Sequence, residues 1–234
     1  MSKRKALLTV VALVLVCVFS ITGTIAFLHK EANGDAGITN TFVSGDDILN
    51  DPDDPDEPGE FIIEEPKITT DENGNVIVDS SASAVTGGQE YPLLPGIELP
   101  KDAKIKINGK TTVPAYLYVE VIDNLTDGVY EWGIEDCWEA LTDGTGKSVI
   151  GPKNGKVYVY TEGGKAKAFT ENTPAGGIGI IEGGKLTVKD VSVEDITSDS
   201  LSFYAYLVQS ASFDSAYEAY SSTYATSTLT SSSR

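Results

Sequence analysis

Ala115-Tyr116-Leu117-Tyr118-Val119-Glu120-Val121-Ile122 is the stretch that decides the fold class. Side chains alternate across a β-strand, so Ala115, Leu117, Val119 and Val121 share one face and Tyr116, Tyr118, Glu120 and Ile122 the other. Similar short runs lie on both sides of it. Upstream are Phe61-Ile62-Ile63, a segment over 67–79 with Asn73-Gly74 at its turn, and Lys104-Ile105-Lys106-Ile107 followed by Asn108-Gly109. Asn-Gly supplies the positive φ angles of a type I′ hairpin turn. Downstream, Val157-Tyr158-Val159-Tyr160 leads into Glu162-Gly163-Gly164-Lys165, and residues 178–181 lead into Glu182-Gly183-Gly184-Lys185 and Leu186-Thr187-Val188. The two Glu-Gly-Gly-Lys copies read as two similar hairpin turns. Residues 201–208 form the last strong strand. Many short strands with turn signals and little helical pattern predict an all-β, antiparallel domain over 61–210, a sandwich or barrel. Short helices are expected at 135–141 and 212–220, with a loose Ser/Thr-rich tail completing 211–234.

The N-terminus carries a different signal. Lys3-Arg4-Lys5 is a positive region, residues 6–19 are apolar, and Ser20, Thr22, Gly23, Thr24 and Ala26 are small. That order reads as a signal peptide, a helix over 1–26 with Thr24 and Ala26 in the small-residue positions and cleavage before Phe27. The alternative is an uncleaved anchor, because 6–28 is just long enough to span a bilayer. A lipid attachment at Cys17 does not fit, since Val16 precedes it and the apolar run continues beyond.

The chain of 234 residues has 17 basic and 35 acidic residues, a formal net charge of -18. Loss of Lys3, Arg4 and Lys5 leaves 14 basic against 35 acidic residues, or -21. Such a chain is repelled by nucleic acid and by anionic lipid, and no membrane association is expected after cleavage. Residues 27–60 end in Asp51-Pro52-Asp53-Asp54-Pro55-Asp56-Glu57-Pro58-Gly59, an extended linker kept open by charge repulsion and proline. It does not fit a calcium loop, because Pro55 occupies a ligand position and no glycine follows where the loop must turn.

Cys17 leaves with the signal and Cys137 stays alone, so no internal disulfide is expected. Cys137 reads as a small buried hydrophobe between Trp132 and Trp138. The lone histidine, His29, lies outside the β-domain, which leaves no Ser-His-Asp or Cys-His arrangement within it. Gly146-Lys147-Ser148 resembles the end of a phosphate loop, but Leu141 stands where its first glycine belongs. No cofactor, metal or catalytic residue is expected. A carboxylate pair doing glycoside hydrolysis is the least favoured reading, since nothing singles out a pair.

The residues between apolar run and linker carry a resemblance. Gly23-Thr24-Ile25-Ala26-Phe27, then Ile38-Thr39-Asn40-Thr41-Phe42-Val43-Ser44-Gly45, is similar to the start of proteins exported with a SipW-type signal peptide, the group of the TasA and camelysin (CalY) biofilm matrix proteins. Leu94-Pro95-Gly96, Asn108-Gly109 and Val113-Pro114-Ala115-Tyr116-Leu117-Tyr118-Val119 resemble its internal motifs. Tyr204-Ala205-Tyr206-Leu207-Val208-Gln209-Ser210 with Phe213 and the 216–220 segment resembles its ending. Tyr118, Tyr220 and Ser44 depart from the residues most common in the group. The resemblance implies a SipW-type signal peptidase as processing partner, a jelly-roll-like β-sandwich, and a secreted structural role at the surface or in the matrix of a Gram-positive bacterium. The other readings are a monomeric surface adhesin or binding module and, last, an extracellular hydrolase.

Segment 27–45 also bears on assembly. Phe27, Leu28, Ile38, Phe42 and Val43 are costly to leave in water, and the acidic linker separates them from the β-domain. One expectation is that this segment does not pack in its own domain and adds as a strand to the next subunit, making a homopolymer or joining sibling matrix proteins. The other is that Phe42 and Val43 form the first strand of their own sandwich.

Overall fold

The nine-residue strand Ala115–Asp123 is matched residue for residue by Leu201–Gln209, from Ala115 opposite Gln209 to Asp123 opposite Leu201. The structure is a computed structural model. It describes residues 29–34, 49–50, 60–86, 88–108, 110–111, 113–169, 176–191, 199–211, 213–224 and 227–228, and gives the backbone alone at 29–34, 49–50, 60, 110–111 and 227–228. Around this central pair, the largest sheet runs His29–Gly34, Leu201–Gln209, Ala115–Asp123, Lys156–Glu162, Val149–Ile150, Ser227–Thr228. Trp138–Ala140 and Lys165–Ala166 also pair with Lys156–Glu162, and Ala168–Phe169 pairs with Ala115–Asp123. Every strand pairing among the described residues is antiparallel, as the alternating patterns and short turns require.

Both faces of the central pair are buried, for different reasons. Ala115, Leu117, Val119, Val121, Phe203, Ala205 and Leu207 meet Phe61, Ile63, Ile105 and Ile107. The last four come from a second sheet in which Lys104–Asn108 lies between Glu60–Glu64 and Ile178–Gly179. On the opposite face Tyr118, Val157, Val159, Tyr204, Tyr206 and Val208 pack against Ala216, Ala219, Tyr220 and Tyr224. The helix Ala216–Thr223 supplies that cover. It starts where Ser215 accepts a hydrogen bond from the Glu218 backbone N–H at 3.1 Å, while the Glu218 carboxylate accepts from the Asp214 N–H at 2.8 Å. This Ser-x-x-Glu capping pattern confirms a helix within the expected C-terminal region. Among the described residues no helix is long and apolar enough to cross a membrane.

Several expectations are corrected. Residues 135–141 are not helical: Trp138–Ala140 is a strand opposite Tyr160, Val159 and Tyr158. Trp138 Nε1 donates to the Gly179 carbonyl at 2.7 Å, so a buried partner overrides the helical spacing of Cys137, Trp138 and Leu141. The Asn73-Gly74 turn is not type I′, since Gly74 is at φ +86° while Asn73 has no positive φ. Five residues, 71–75, join Ile68–Thr70 to Val76–Val78; the Asp71 N–H to Asn75 O hydrogen bond at 2.9 Å narrows the loop to residues 72–74, with Gly74 as its glycine bulge. Lys104–Asn108 does not fold back across Asn108-Gly109; Lys110–Thr111 pairs instead with Leu49–Asn50. Only the first Glu-Gly-Gly-Lys makes a hairpin, with Gly163 and Gly164 at φ +61° and +73° and Glu162 opposite Lys165. The second links Ile178–Gly179 of one sheet to Leu186–Val188, which pairs with Tyr130–Glu131 and Glu98–Leu99 in another. Pairing also reaches beyond 61–210, through His29–Gly34, Leu49–Asn50 and Ser227–Thr228.

Candidate functional site

Two features exceed what a plain β-core needs: the edge strand His29–Gly34 and two buried carboxylates. His29–Gly34 pairs over its whole length with Leu201–Gln209, from His29 opposite Val208 to Gly34 opposite Phe203. The expectation that the mature N-terminal segment stays out of its own domain is therefore corrected for these six residues. Thr24, Ala26 and Phe27 at the signal junction, and Leu28, Ile38, Phe42 and Val43 of the donor segment, lie outside the described residues. So does nearly all of the acidic linker.

Glu120 is fully buried on the helix-facing side of the central strand. Its Oε1 accepts the Lys153 N–H at 2.9 Å and the Gly155 N–H at 2.8 Å, and its Oε2 accepts the Tyr206 hydroxyl at 2.6 Å. Burial pushes its carboxyl above the ordinary range, and these hydrogen bonds offset part of that. The purpose of the arrangement emerges from two other loops. Asp71 Oδ1 accepts the N–H of Asn73 and of Asn75, both at 2.8 Å. Asp143 Oδ1 accepts the N–H of Thr145 at 2.8 Å and of Lys147 at 2.9 Å. Each loop is held by its own first residue at positions two and four further on. The Asn75 side-chain amide donates to Asp71 at 2.9 Å and the Thr145 hydroxyl to Asp143 at 2.7 Å, and these bonds, with the backbone ones, pull the carboxyls of Asp71 and Asp143 below their ordinary value.

The loop from Gly151 to Gly155 has the same backbone closure, with Asn154 N–H to Gly151 O at 3.0 Å and Gly151 N–H to Gly155 O at 2.9 Å. Its first residue is glycine and has no carboxylate. Glu120 reaches in from the neighbouring strand and bonds positions two and four further on, Lys153 and Gly155. A Cβ at Gly151 would lie 2.5 Å from Glu120 Cδ, so the missing side chain makes room for the borrowed one. Glu120 is thus a turn cap supplied from another strand, and its chemistry is structural. Sequence reasoning placed Glu120 on its face without this role. The signal was there in Asp71-Glu72-Asn73-Gly74-Asn75 and Asp143-Gly144-Thr145-Gly146-Lys147, whose shared spacing Gly151-Pro152-Lys153-Asn154-Gly155 follows with the aspartate missing. The same comparison accounts for Gly146-Lys147-Ser148, which closes a surface turn.

Glu65, 5 % exposed, follows the strand Glu60–Glu64. Its Oε2 takes the Lys101 ammonium at 2.8 Å and the Tyr91 hydroxyl at 3.0 Å. Gln89 braces Tyr91, donating to its hydroxyl at 3.2 Å and to the Pro66 carbonyl at 2.7 Å. Glu65 Oε1 has no hydrogen-bond partner and borders a recess lined by Ile63, Val85, Thr86, Ala103 and Phe203, with space for about one water molecule. This is an anchoring ion pair beside a water-sized space. Cys137 packs against the core but is half-buried, less enclosed than expected, and burial pushes its thiol up, away from the reactive thiolate. Among the described residues no group of histidine, cysteine, aspartate and glutamate is placed to hold a metal ion.

Compared with protein-family models, curated proteins and solved structures, the chain matches none of them.

Proposed function

We propose that this chain is an exported structural subunit of the bacterial cell surface or biofilm matrix, not an enzyme, built as a jelly-roll-like antiparallel β-sandwich and released by a SipW-type signal peptidase. The observation that carries the reading is the edge strand. His29-Lys30-Glu31-Ala32-Asn33-Gly34 contains none of the β-branched residues that favour strands, and Lys, Glu, Ala, Asn and Gly are all depleted there. It nevertheless covers Leu201–Gln209, a strand whose Ser202 to Val208 are all buried. A weak strand on a demanding edge is poorly specified in register and open to exchange. The segment Thr39-Asn40-Thr41-Phe42-Val43 of a second copy is a better strand former by composition and can take that edge. Such head-to-tail pairing does not close on itself and gives filaments. The acidic surface keeps subunits apart until salt screens it.

Signal removal would free the segment, and protein recovered from the medium should begin at or within a few residues of Phe27. Full-length chain retained in the membrane would contradict this. The assembly test uses the mature protein and two variants. Intact protein should form filaments at high concentration and salt, visible by electron microscopy, while protein lacking residues 27–45 should not. Ala32 and Ala205 are Cα partners, so Ala32→Cys with Ala205→Cys locks the strand in its own sheet when oxidised. The oxidised form should stay monomeric and regain assembly on reduction. Filaments from the locked or shortened protein would end the exchange mechanism.

The monomeric adhesin is the second reading, and it is favoured by the same pairing taken at face value: the chain closes its own edge with His29–Gly34. An intact protein that remains monomeric in every condition decides for it.

A further inference from the structure

We propose that Asn73 is a site of spontaneous covalent modification, deamidation through a cyclic imide, and that the fold holds the same dipeptide inert at Asn154. The sequence has four Asn-Gly pairs, and at two of them, Asn73-Gly74 and Asn154-Gly155, both residues are described with their surroundings. The chemistry is the same for both. The glycine backbone nitrogen gives up its proton to solvent base and bonds to the asparagine Cγ. The Cγ–Nδ2 bond breaks, and ammonia leaves with a proton from water. Water then opens the imide at either carbonyl, giving aspartate or iso-aspartate. Glycine favours the attack because no side chain shields its nitrogen.

The surroundings of the two nitrogens differ. Asn73 and Gly74 are both exposed at the tip of the hairpin between Ile68–Thr70 and Val76–Val78. The Gly74 N–H donates to the Asp71 carbonyl at 3.0 Å, a surface turn bond that water replaces at small cost. Gly155, in contrast, is buried, and its N–H donates at 2.8 Å to the fully buried carboxylate of Glu120. For that nitrogen to attack, a charge-assisted bond must break and leave the carboxylate short of a donor. The backbone cannot swing to compensate, because a Cβ on Gly155 would already lie 2.6 Å from the Val121 carbonyl oxygen.

Conversion at Asn73 adds a carboxylate next to Asp71 and Glu72. Iso-aspartate also adds a backbone atom inside the loop, which breaks the hydrogen bond from Asp71 N–H to Asn75 O at 2.9 Å. The hairpin, with Ile77 and Val78 both exposed, frays from its tip.

The test is peptide mapping by mass spectrometry of the mature protein held at mildly alkaline pH, folded and in urea. Folded protein should accumulate the acid form at Asn73 at least about tenfold faster than at Asn154, and in urea the two rates should converge. Equal rates in the folded protein, no conversion at Asn73, or a difference that persists in urea would each overturn the proposal.

Discussion

Leu117→Asp should leave the mature protein unfolded, or so close to it that urea denatures it near the start of the titration. Leu117 is fully buried and lies opposite Leu207 in the central pair. Its face meets Phe61, Ile63, Ile105 and Ile107 of the second sheet. Losing the buried side chain removes about 1.5–3 kcal/mol. Burying an unpaired carboxylate costs several more, for a total on the order of 5 kcal/mol or above. That is comparable with the whole stability of a domain, roughly 5–15 kcal/mol. Leu117→Ala serves as the graded control, at about 2–5 kcal/mol from lost burial and the cavity left behind. Urea melts followed by far-ultraviolet circular dichroism give both values. An aspartate variant with an unchanged midpoint would place Leu117 off the core and with it the whole face assignment.

That face was legible because alternation over eight residues allows a single partition of side chains, and the partner strand in 201–208 repeats it. The helix after Phe213 was expected only as a region, 212–220; the Ser215 and Glu218 cap that fixes its start went unread, although it depends only on neighbours in the chain. What could not be read locally was decided by distant residues. Trp138 has helical spacing with its neighbours and becomes strand because Tyr160, Val159 and Tyr158 offer a ladder. Two identical Glu-Gly-Gly-Lys turns diverge because the strand following each joins a different sheet. His29–Gly34 has no strand signal in its own composition; its pairing comes from the open edge of Leu201–Gln209. The borrowed carboxylate of Glu120 needs two segments 33 and 35 positions apart to come together.

Glu120→Ala should destabilise the protein by roughly 3–5 kcal/mol, because it orphans the buried Gly155 N–H, removes the carboxylate to which the Tyr206 hydroxyl donates, and opens a cavity between them. Glu120→Gln should behave differently. Its amide oxygen keeps the Lys153 and Gly155 hydrogen bonds, its NH2 group turns to Tyr206, and a buried charge disappears. The change should fall within about 1 kcal/mol of the parent. The pH dependence separates the two forms further. Burial raises the folded-state value of Glu120, so the folded protein holds this proton more tightly than the unfolded chain. Its contribution is therefore greatest below the ordinary carboxylate value and declines as pH rises through the folded-state value. The glutamine variant lacks that decline, so its stability relative to the parent should grow from acid toward neutral pH. The turn-cap role makes one more demand. In a Glu120→Ala background, Gly151→Asp places a carboxylate at the position Asp71 and Asp143 hold in their own loops, in space the missing glutamate has vacated. Part of the lost stability should return in the double variant, whereas Gly151→Asp alone should destabilise, since Glu120 Cδ lies 2.5 Å from where its Cβ must sit. A double variant no more stable than Glu120→Ala would mean that Glu120 supports the strand pair through Tyr206 and that the loop can close without a cap.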